Sequence, residues 1–300
     1  MHNTLGSDNS VGLNKIKNLL IEYQDKLSLT NVEMPNKDEK NYICFAHSKR
    51  YGEIVLKFGT SHWELVREAE ALRLYNGNSI CKCFEVDLEN DVLILERINP
   101  GYNLHAVSDV NERIEIYVNL LHQLTKNAEP DVKMPKYRDL LDRTFRKASE
   151  NVEKYFSVLE YLETAKYYFQ EIEAEKRPQY MLHGDLNHRN ILKSNENWVT
   201  IDPLGVIGEM PFETARFIRN ELRTIEDNNK LKHLDVVLNE LSEKLGEEKA
   251  RLAKAMFVDQ VSITCWYIEI KAKEQVVEEE TEMLKLMKVY LHNFEVSHKY

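Results

Sequence analysis

With 300 residues, 43% of them hydrophobic and 30% charged, the chain is long enough for a large core and ordinary for a globular protein. A formal net charge of −10 speaks against nucleic acid as a partner, because phosphate neutralisation needs Lys and Arg in excess. Gly (10) and Pro (7) are scarce, which argues against a loop-rich all-β fold and for much helix.

The N-terminus, MHNTLGSDNSVGLNK, has no basic segment leading into an apolar core, and no apolar run reaches a membrane span. A cytoplasmic protein with no membrane partner is expected. The cysteines are Cys44, Cys81, Cys83 and Cys265. A lone C-x-C without a second ligand pair is not a zinc pattern, so four reduced thiols are expected.

The first hundred residues carry the strand signals. After a weak strand near KLSLTNVEM, the β-rich runs YICFAHS (42–48) and EIVLKFG (53–59) flank the turn KRYG. HWELVREAEALRLYNG (62–77) places Leu65, Ala69, Leu72 and Leu74 at helical spacing, with Gly77 as a stop. CKCFEVDL (81–88) and DVLILERI (91–98) form a second strand pair. NPGY (99–102) then punctuates the chain. NERIEIYVNLLHQLTK (111–126), the stretch from Tyr137 to Glu175 and several segments after Phe212 show the 3.6-residue period. The expected fold class is therefore α+β in two lobes: residues 1–98 as a small mixed β-sheet lobe with one helix, and residues 99–300 as a larger, mainly helical lobe.

Two short apolar runs interrupt the helical half. LHGDLNHRNIL (182–192) and VTIDPL (199–204) bring His183, Asp185, Asn190 and Asp202 close in sequence. In kinase-type phosphoryl transfer a loop Asp orients the attacking hydroxyl. An Asn five residues later and an Asp after the next strand hold magnesium. Asp185 and Asn190 have that spacing, and Asp202 follows the strand-like WVTI. Hard oxygen donors suit Mg²⁺, and a carboxylate suits the acceptor O–H. His-Gly-Asp alone is also a comfortable polar turn, so the remote partners decide. Lys57 lies on the third expected strand, and the next helix offers Glu64, Glu68 and Glu70. No G-x-G-x-x-G precedes Lys57, since residues 31–52 contain only Gly52. Phosphate cover must come from other backbone or from a loop around MPNKDEK.

With these residues assembled, the chain resembles the aminoglycoside phosphotransferase family, of protein-kinase-like fold, and within it the streptomycin 6-kinase and hydroxyurea phosphotransferase group. The resemblance is carried by VLKFG, EAEALRLYNG, LILERINPG, LHGDLNHRNIL, VTIDPLGVIGEMPFE with FIRN behind it, and the Trp-bearing segment Cys265–Glu269. It spans about residues 50–270. It implies Asp185 as catalytic base or hydroxyl-orienting residue, and Asn190 and Asp202 as magnesium ligands. Lys57 becomes the phosphate-binding lysine and Glu68 its ion-pair partner. Residues 95–101 become a hinge, where adenine bonds the carbonyl of Glu96 and the N–H of Ile98, with Leu95 facing the pocket. His183 braces the loop. ATP and Mg²⁺ are the implied cofactors.

The implied reaction is transfer of the γ-phosphate to a hydroxyl of a small molecule, with an aminoglycoside such as streptomycin (at position 6) as the lead acceptor. A cationic acceptor would be held by acids, for which Glu209, Glu213, Asp259 and Glu269 are candidates. Other acceptors within the class are a sugar, an amino alcohol or hydroxyurea. The alternative is a non-catalytic, pseudokinase-like nucleotide-binding module. Protein substrates lack support, because no Ala-Pro-Glu segment follows Asp202. The loop departs from the family pattern in reading Asn187 and His188-Arg189, where the family has His and then Gly or Pro-Gly before the Asn. Arg189 either puts a cation beside the acceptor or turns outward.

Overall fold

The computed structural model describes residues 7–33, 36–37, 41–127 and 133–297. In chain order the elements are α1 (Ser7–Leu27), β1 (Leu29–Thr30), β2 (Asn36–Lys37), β3 (Asn41–Ser48), β4 (Gly52–Gly59), α2 (His62–Tyr75), β5 (Cys83–Asp87), β6 (Val92–Glu96) and β7 (Pro100–Asn103). There follow α3 (Val110–Leu124), β8 (Lys126–Asn127), α4 (Tyr137–Glu150), α5 (Leu159–Ala174), β9 (Tyr180–Leu182), β10 (Ile191–Ser194), β11 (Asn197–Thr200) and β12 (Val206–Gly208). The chain ends with α6 (Met210–Arg223), α7 (Lys230–Leu245), α8 (Lys249–Glu269) and α9 (Glu274–Ser297). It divides into two compact units, one of residues 1–102 with 192–204 and one of 103–191 with 205–300. A single boundary at 98/99 does not include the return of residues 192–204 to the first unit.

The first unit is built on a sheet ordered β1-β3-β4-β6-β5, with β2 on β3. Each of these pairings is antiparallel, so the expected mixed sheet is corrected to an antiparallel one. Strand alternation sorts its residues to two faces. Cys44 and Ala46 of β3, Ile54, Leu56 and Phe58 of β4, and Val92 and Ile94 of β6 share one buried cluster with α1. Helix α1 contributes Ile16, Leu19, Leu20, Tyr23 and Leu27, one stripe at 3.6-residue spacing. That helix was not among the expected elements, and it covers the face that the expected strands left open. The weak strand near KLSLTNVEM is reduced to the two residues of β1, with Met34 outside the described residues. The segment MPNKDEK lies outside them too, apart from Asn36 and Lys37 in β2.

Lys57, between Leu56 and Phe58, projects from the opposite face of β4, where α2 packs. The close approach of α2 explains Gly59 at the end of β4. A Cβ there would stand 2.6 Å from Leu65 Cδ1.

In the second unit α8 is buried almost all round, from Arg251 to Cys265. It touches α4, α5, α6, α7 and α9, which is the position an all-round apolar helix takes in a bundle. The expected helical stretch 137–175 breaks at 151–158 into α4 and α5. A short antiparallel sheet, β12-β9-β8, interrupts the helices as the two apolar runs implied. Strand β9 runs straight into His183-Gly184-Asp185, and β12 runs into α6. All four cysteines are free thiols. Among the described residues no helix is long and apolar enough to cross a membrane.

Candidate functional site

In the first unit, the Lys57 ammonium is buried and ion-paired to Glu68 at 2.7 Å and to Asp202. Glu68 faces the sheet because it shares the buried stripe of α2 with Leu65, Ala71, Leu72 and Tyr75. Glu70, another acid of that helix, pairs with Arg73. Asp202 reaches Lys57 from a left-handed backbone position (φ 61°), which Asp tolerates better than most residues. Burial disfavours the charge on Lys57, but Glu68 and Asp202 outweigh it and hold the amine above its ordinary value. Burial pushes the Glu68 carboxyl up to about 7, with Lys57 opposing the rise. Glu96 ends β6, its N–H bonded to the carbonyl of Lys82, and Ile98 follows as a buried residue.

In the second unit, the loop after β9 is shaped by the main-chain carbonyl of Asp185. It accepts from Asn187 N (2.9 Å), Asn187 Nδ2 (3.1 Å) and Asn190 Nδ2 (2.9 Å). The same Asn190 amide donates to Asp185 Oδ2 at 3.1 Å, which leaves its Oδ1 as an acceptor. Gly184 sits at φ 80°, a conformation that excludes most side chains. Buried His183 places its Nδ1 3.3 Å from the N–H of Asp185.

The four acids expected to meet a cationic acceptor all have protein partners. Glu213, 2% exposed, accepts from the backbone N–H of Gly184 at 3.0 and 3.1 Å and from those of His183 and Leu186. It is a scaffold for the loop, and burial pushes its carboxyl up to about 7 against those three donors. Glu209 is buried against Arg251. Glu269 pairs with Lys147. Asp259 accepts from Tyr137 Oη at 2.6 Å and pairs with Arg216 Nε at 2.8 Å. The sequence showed four acids, but not that each has an internal partner.

Two further residues were given no role by the sequence reading. Arg216 Nη1 stands 3.3 Å from Asp185 Oδ1, so both carboxylate oxygens of Asp185 have a partner. The only signal was its place in α6 just behind the IDP run. His188 is fully buried and stacked between His105 (4.8 Å) and Phe217 (4.7 Å). Its Nε2 lies 2.7 Å from Glu221, which also takes Arg113 on both oxygens and His233 at 3.2 Å. Arg189, beside it, is exposed.

Burial would raise the Glu221 carboxyl, but Arg113 and His188 outweigh it and bring it down to about 2, from an ordinary value of 4.5. A depressed carboxyl stabilises the fold fully above its unfolded value and loses that contribution as pH falls through the folded one. Glu221→Gln therefore costs about 3–5 kcal/mol at pH 7, the loss typical of breaking a buried ion pair from one side. Urea unfolding at pH 7 and pH 3 checks this, since the gap between variant and parent must narrow at pH 3.

The fold is shared with solved kinases. Choline kinase LicA from Streptococcus pneumoniae superposes with a TM-score of 0.65 at 12% identity, covering 92% of this chain and 100% of that one. Choline kinase from Cryptosporidium parvum gives 0.67 at 13%, covering 93% and 97%. The aminoglycoside phosphotransferase APH(4)-Ia, solved with ADP and hygromycin B, gives 0.62 at 12%, covering 93% and 98%. At such identities the likeness shows the fold, which is protein-kinase-like. No curated protein matches the sequence. The model of the aminoglycoside/hydroxyurea antibiotic resistance kinase family matches residues 54–270, and this chain belongs to that family.

Proposed function

We propose that this chain is a small-molecule O-phosphotransferase that moves the γ-phosphate of ATP to a hydroxyl in the presence of magnesium. The observation that carries the reading is the buried Lys57, held by Glu68 of the next helix and by Asp202, 145 residues further along. A polar turn at 183–190 requires no such lysine. Burying an ammonium costs several kcal/mol unless good partners surround it, so a cluster of this kind points to a site that uses the charge.

In this reading Lys57 binds the α- and β-phosphates and Glu68 keeps its ammonium in place. The carbonyl of Glu96 and the N–H of Ile98 receive adenine. Asp185 orients the acceptor hydroxyl and takes its proton as the oxygen bonds to the γ-phosphorus. The bond from that phosphorus to the β–γ bridging oxygen breaks, and ADP leaves. Asn190 and Asp202 offer the hard oxygens that magnesium prefers. Among the described residues no three His, Cys, Asp or Glu side chains cluster to hold a metal by themselves. That suits an ion that keeps waters and substrate phosphate oxygens among its ligands. When bound, magnesium neutralises charge on the phosphates.

The testing experiment is Mg²⁺- and ATP-dependent ADP release over a panel of hydroxylated acceptors. Streptomycin, expected to react at position 6, comes first, followed by other aminoglycosides, sugars, amino alcohols and hydroxyurea. Acceptor-dependent release is the expected result. A protein that binds Mg-ATP but releases no ADP with any member would instead be a nucleotide-binding module.

A further inference from the structure

The proposed reaction needs the Asp185 carboxylate to meet an acceptor hydroxyl at a fixed angle, yet a carboxylate turns about a soft, roughly two-fold torsion. Two contacts stop it turning, one on each oxygen. Asn190 Nδ2 donates to Oδ2 at 3.1 Å, and Arg216 Nη1 donates to Oδ1 at 3.3 Å. Each oxygen has a second lone pair, so an acceptor hydroxyl can still be received. The Asn190 contact is local to the loop. The Arg216 contact comes from α6, and the guanidinium is gripped from its other side. Its Nε pairs with Asp259 Oδ2 at 2.8 Å, and Asp259 Oδ1 accepts from the Tyr137 hydroxyl at 2.6 Å. Burial and Asp259 keep that hydroxyl well above its ordinary value, so it remains a donor. Tyr137 is itself fixed. Its ring stacks on Phe212 at 4.4 Å, and a Cβ added at Gly208 would stand 3.0 Å from Tyr137 Cβ.

An ion pair with Asp259 alone would neutralise Arg216, so the contact with Asp185 is one that a purely structural guanidinium does not need. Side-chain exposure rises from 3% at Asp259 to 16% at Arg216 and 25% at Asp185, which makes Asp259 the anchored end and Asp185 the open one. Burial opposes the charge on Arg216, but Asp259 and Asp185 outweigh it and hold the guanidinium above its ordinary value. The three groups together carry one net negative charge, so they do not work against a cationic acceptor. We propose that Arg216 is the positioning residue of Asp185, anchored by Asp259 and Tyr137, and that it acts on the reaction through the Asp185 carboxylate alone. The proposal rests on the phosphotransferase reading and adds a positioning residue to the same site. A planar guanidinium held on its Nε edge presents Nη1 in one direction, which a lysine ammonium on a flexible stem cannot do.

Arg216→Lys is the first variant, because an ammonium keeps a cation beside buried Asp259 while losing the fixed fork. With the best acceptor of the panel, kcat should fall about 10- to 100-fold, the yield of one charge-assisted hydrogen bond, with KM for ATP and acceptor within about twofold. In an Asp185→Ala background the same substitution should change the residual single-turnover rate by less than about twofold, since residues that act through one group are not additive. Tyr137→Phe, which loosens the anchor and alters neither charge, should lower kcat in the same direction by a smaller factor. A parent-like rate there would overturn the anchor. A parent-like kcat in Arg216→Lys, with turnover lost in Asp185→Ala, would overturn the whole inference and leave the kinase. So would a loss that falls on the acceptor KM, or one that adds fully to that of Asp185→Ala, because Arg216 would then serve the acceptor or the fold. If Arg216→Lys does not fold, Arg216→Met with Asp259→Asn strands no buried charge and is read in the same way. If that variant does not fold either, Arg216 is a structural residue and the inference is lost. Turnover that Asp185→Ala does not change, or no ADP release with any acceptor, removes the kinase reading and this inference with it.

Discussion

Asp185→Ala should lower phosphoryl transfer by about 10²- to 10⁴-fold, the span of a positioned acid or base, while leaving the affinity for ADP within about twofold. The reason lies in which part of Asp185 does what. Its main-chain carbonyl receives three of the hydrogen bonds that shape the loop, and that carbonyl survives in the variant. Its side chain contributes one contact from Asn190 and one from Arg216. Arg216 keeps Asp259 when Asp185 is gone, so no buried charge is stranded. The buried carboxylate of Glu213 also continues to hold the N–H groups of His183, Gly184 and Leu186. Folding should consequently be little changed, and the loss should fall on kcat. The checks are single-turnover ADP formation with the best acceptor of the panel, and calorimetric titration with ADP. A variant that turns over as fast as the parent would remove Asp185 from the chemistry. A variant that unfolds would show that the side chain holds the loop after all.

That separation of backbone from side-chain roles was only half legible in the sequence. The spacing from Asp185 to Asn190 is local, and a short loop with a fixed shape delivers both residues together. Lys57 and Glu68 were legible for a related reason. Strand alternation puts Lys57 on the face opposite Leu56 and Phe58, and helical spacing puts Glu68 on the stripe of Leu65 and Leu72. Periodicity tells which residues share a face, and the chain order of strand and helix then brings the faces together.

The same reasoning fails where partners come from distant helices. Arg216 lies 31 residues from Asp185, and Tyr137 lies 122 from Asp259. Helical periodicity cannot say which of several amphipathic helices pack on one another. Glu209, Glu213 and Glu269 therefore stood as candidates to hold a cationic acceptor, although each answers a cation or a row of amides elsewhere in the chain. Helix α1 was missed for another reason. Its stripe of Ile16, Leu19, Leu20, Tyr23 and Leu27 is regular, but the residues between, Ile21 apart, are polar and the strand signals that follow are stronger. His188 stood out only as a departure from a family pattern. Its reason is a buried carboxylate 33 residues on, Glu221, which no local signal announces.

Lys57→Met tests the other half of the site, and its effect on stability should depend on pH in a defined direction. The lysine is 5% exposed and Glu68 6%, so the variant leaves a buried carboxylate without its cation. Breaking such a pair from one side costs about 3–5 kcal/mol. Even beside Lys57 the Glu68 carboxyl is pushed up to about 7 from an ordinary value of 4.5. A carboxyl raised on folding destabilises when ionised, and this penalty is absent below the unfolded value and grows as pH rises to the folded one. Without the lysine the folded value climbs further, so the window extends upward. Urea unfolding should show the full deficit at pH 8.5 and a smaller one at pH 5.5. Replacing both partners, Lys57→Met with Glu68→Leu, should recover much of the stability, because two apolar side chains can replace a buried ion pair at little cost. It should not recover phosphoryl transfer, since no ammonium remains to meet the α- and β-phosphates. A double variant that regains both stability and turnover would reduce Lys57 to a structural residue. One that regains stability alone separates the fold's need for a matched pair from the reaction's need for a charge.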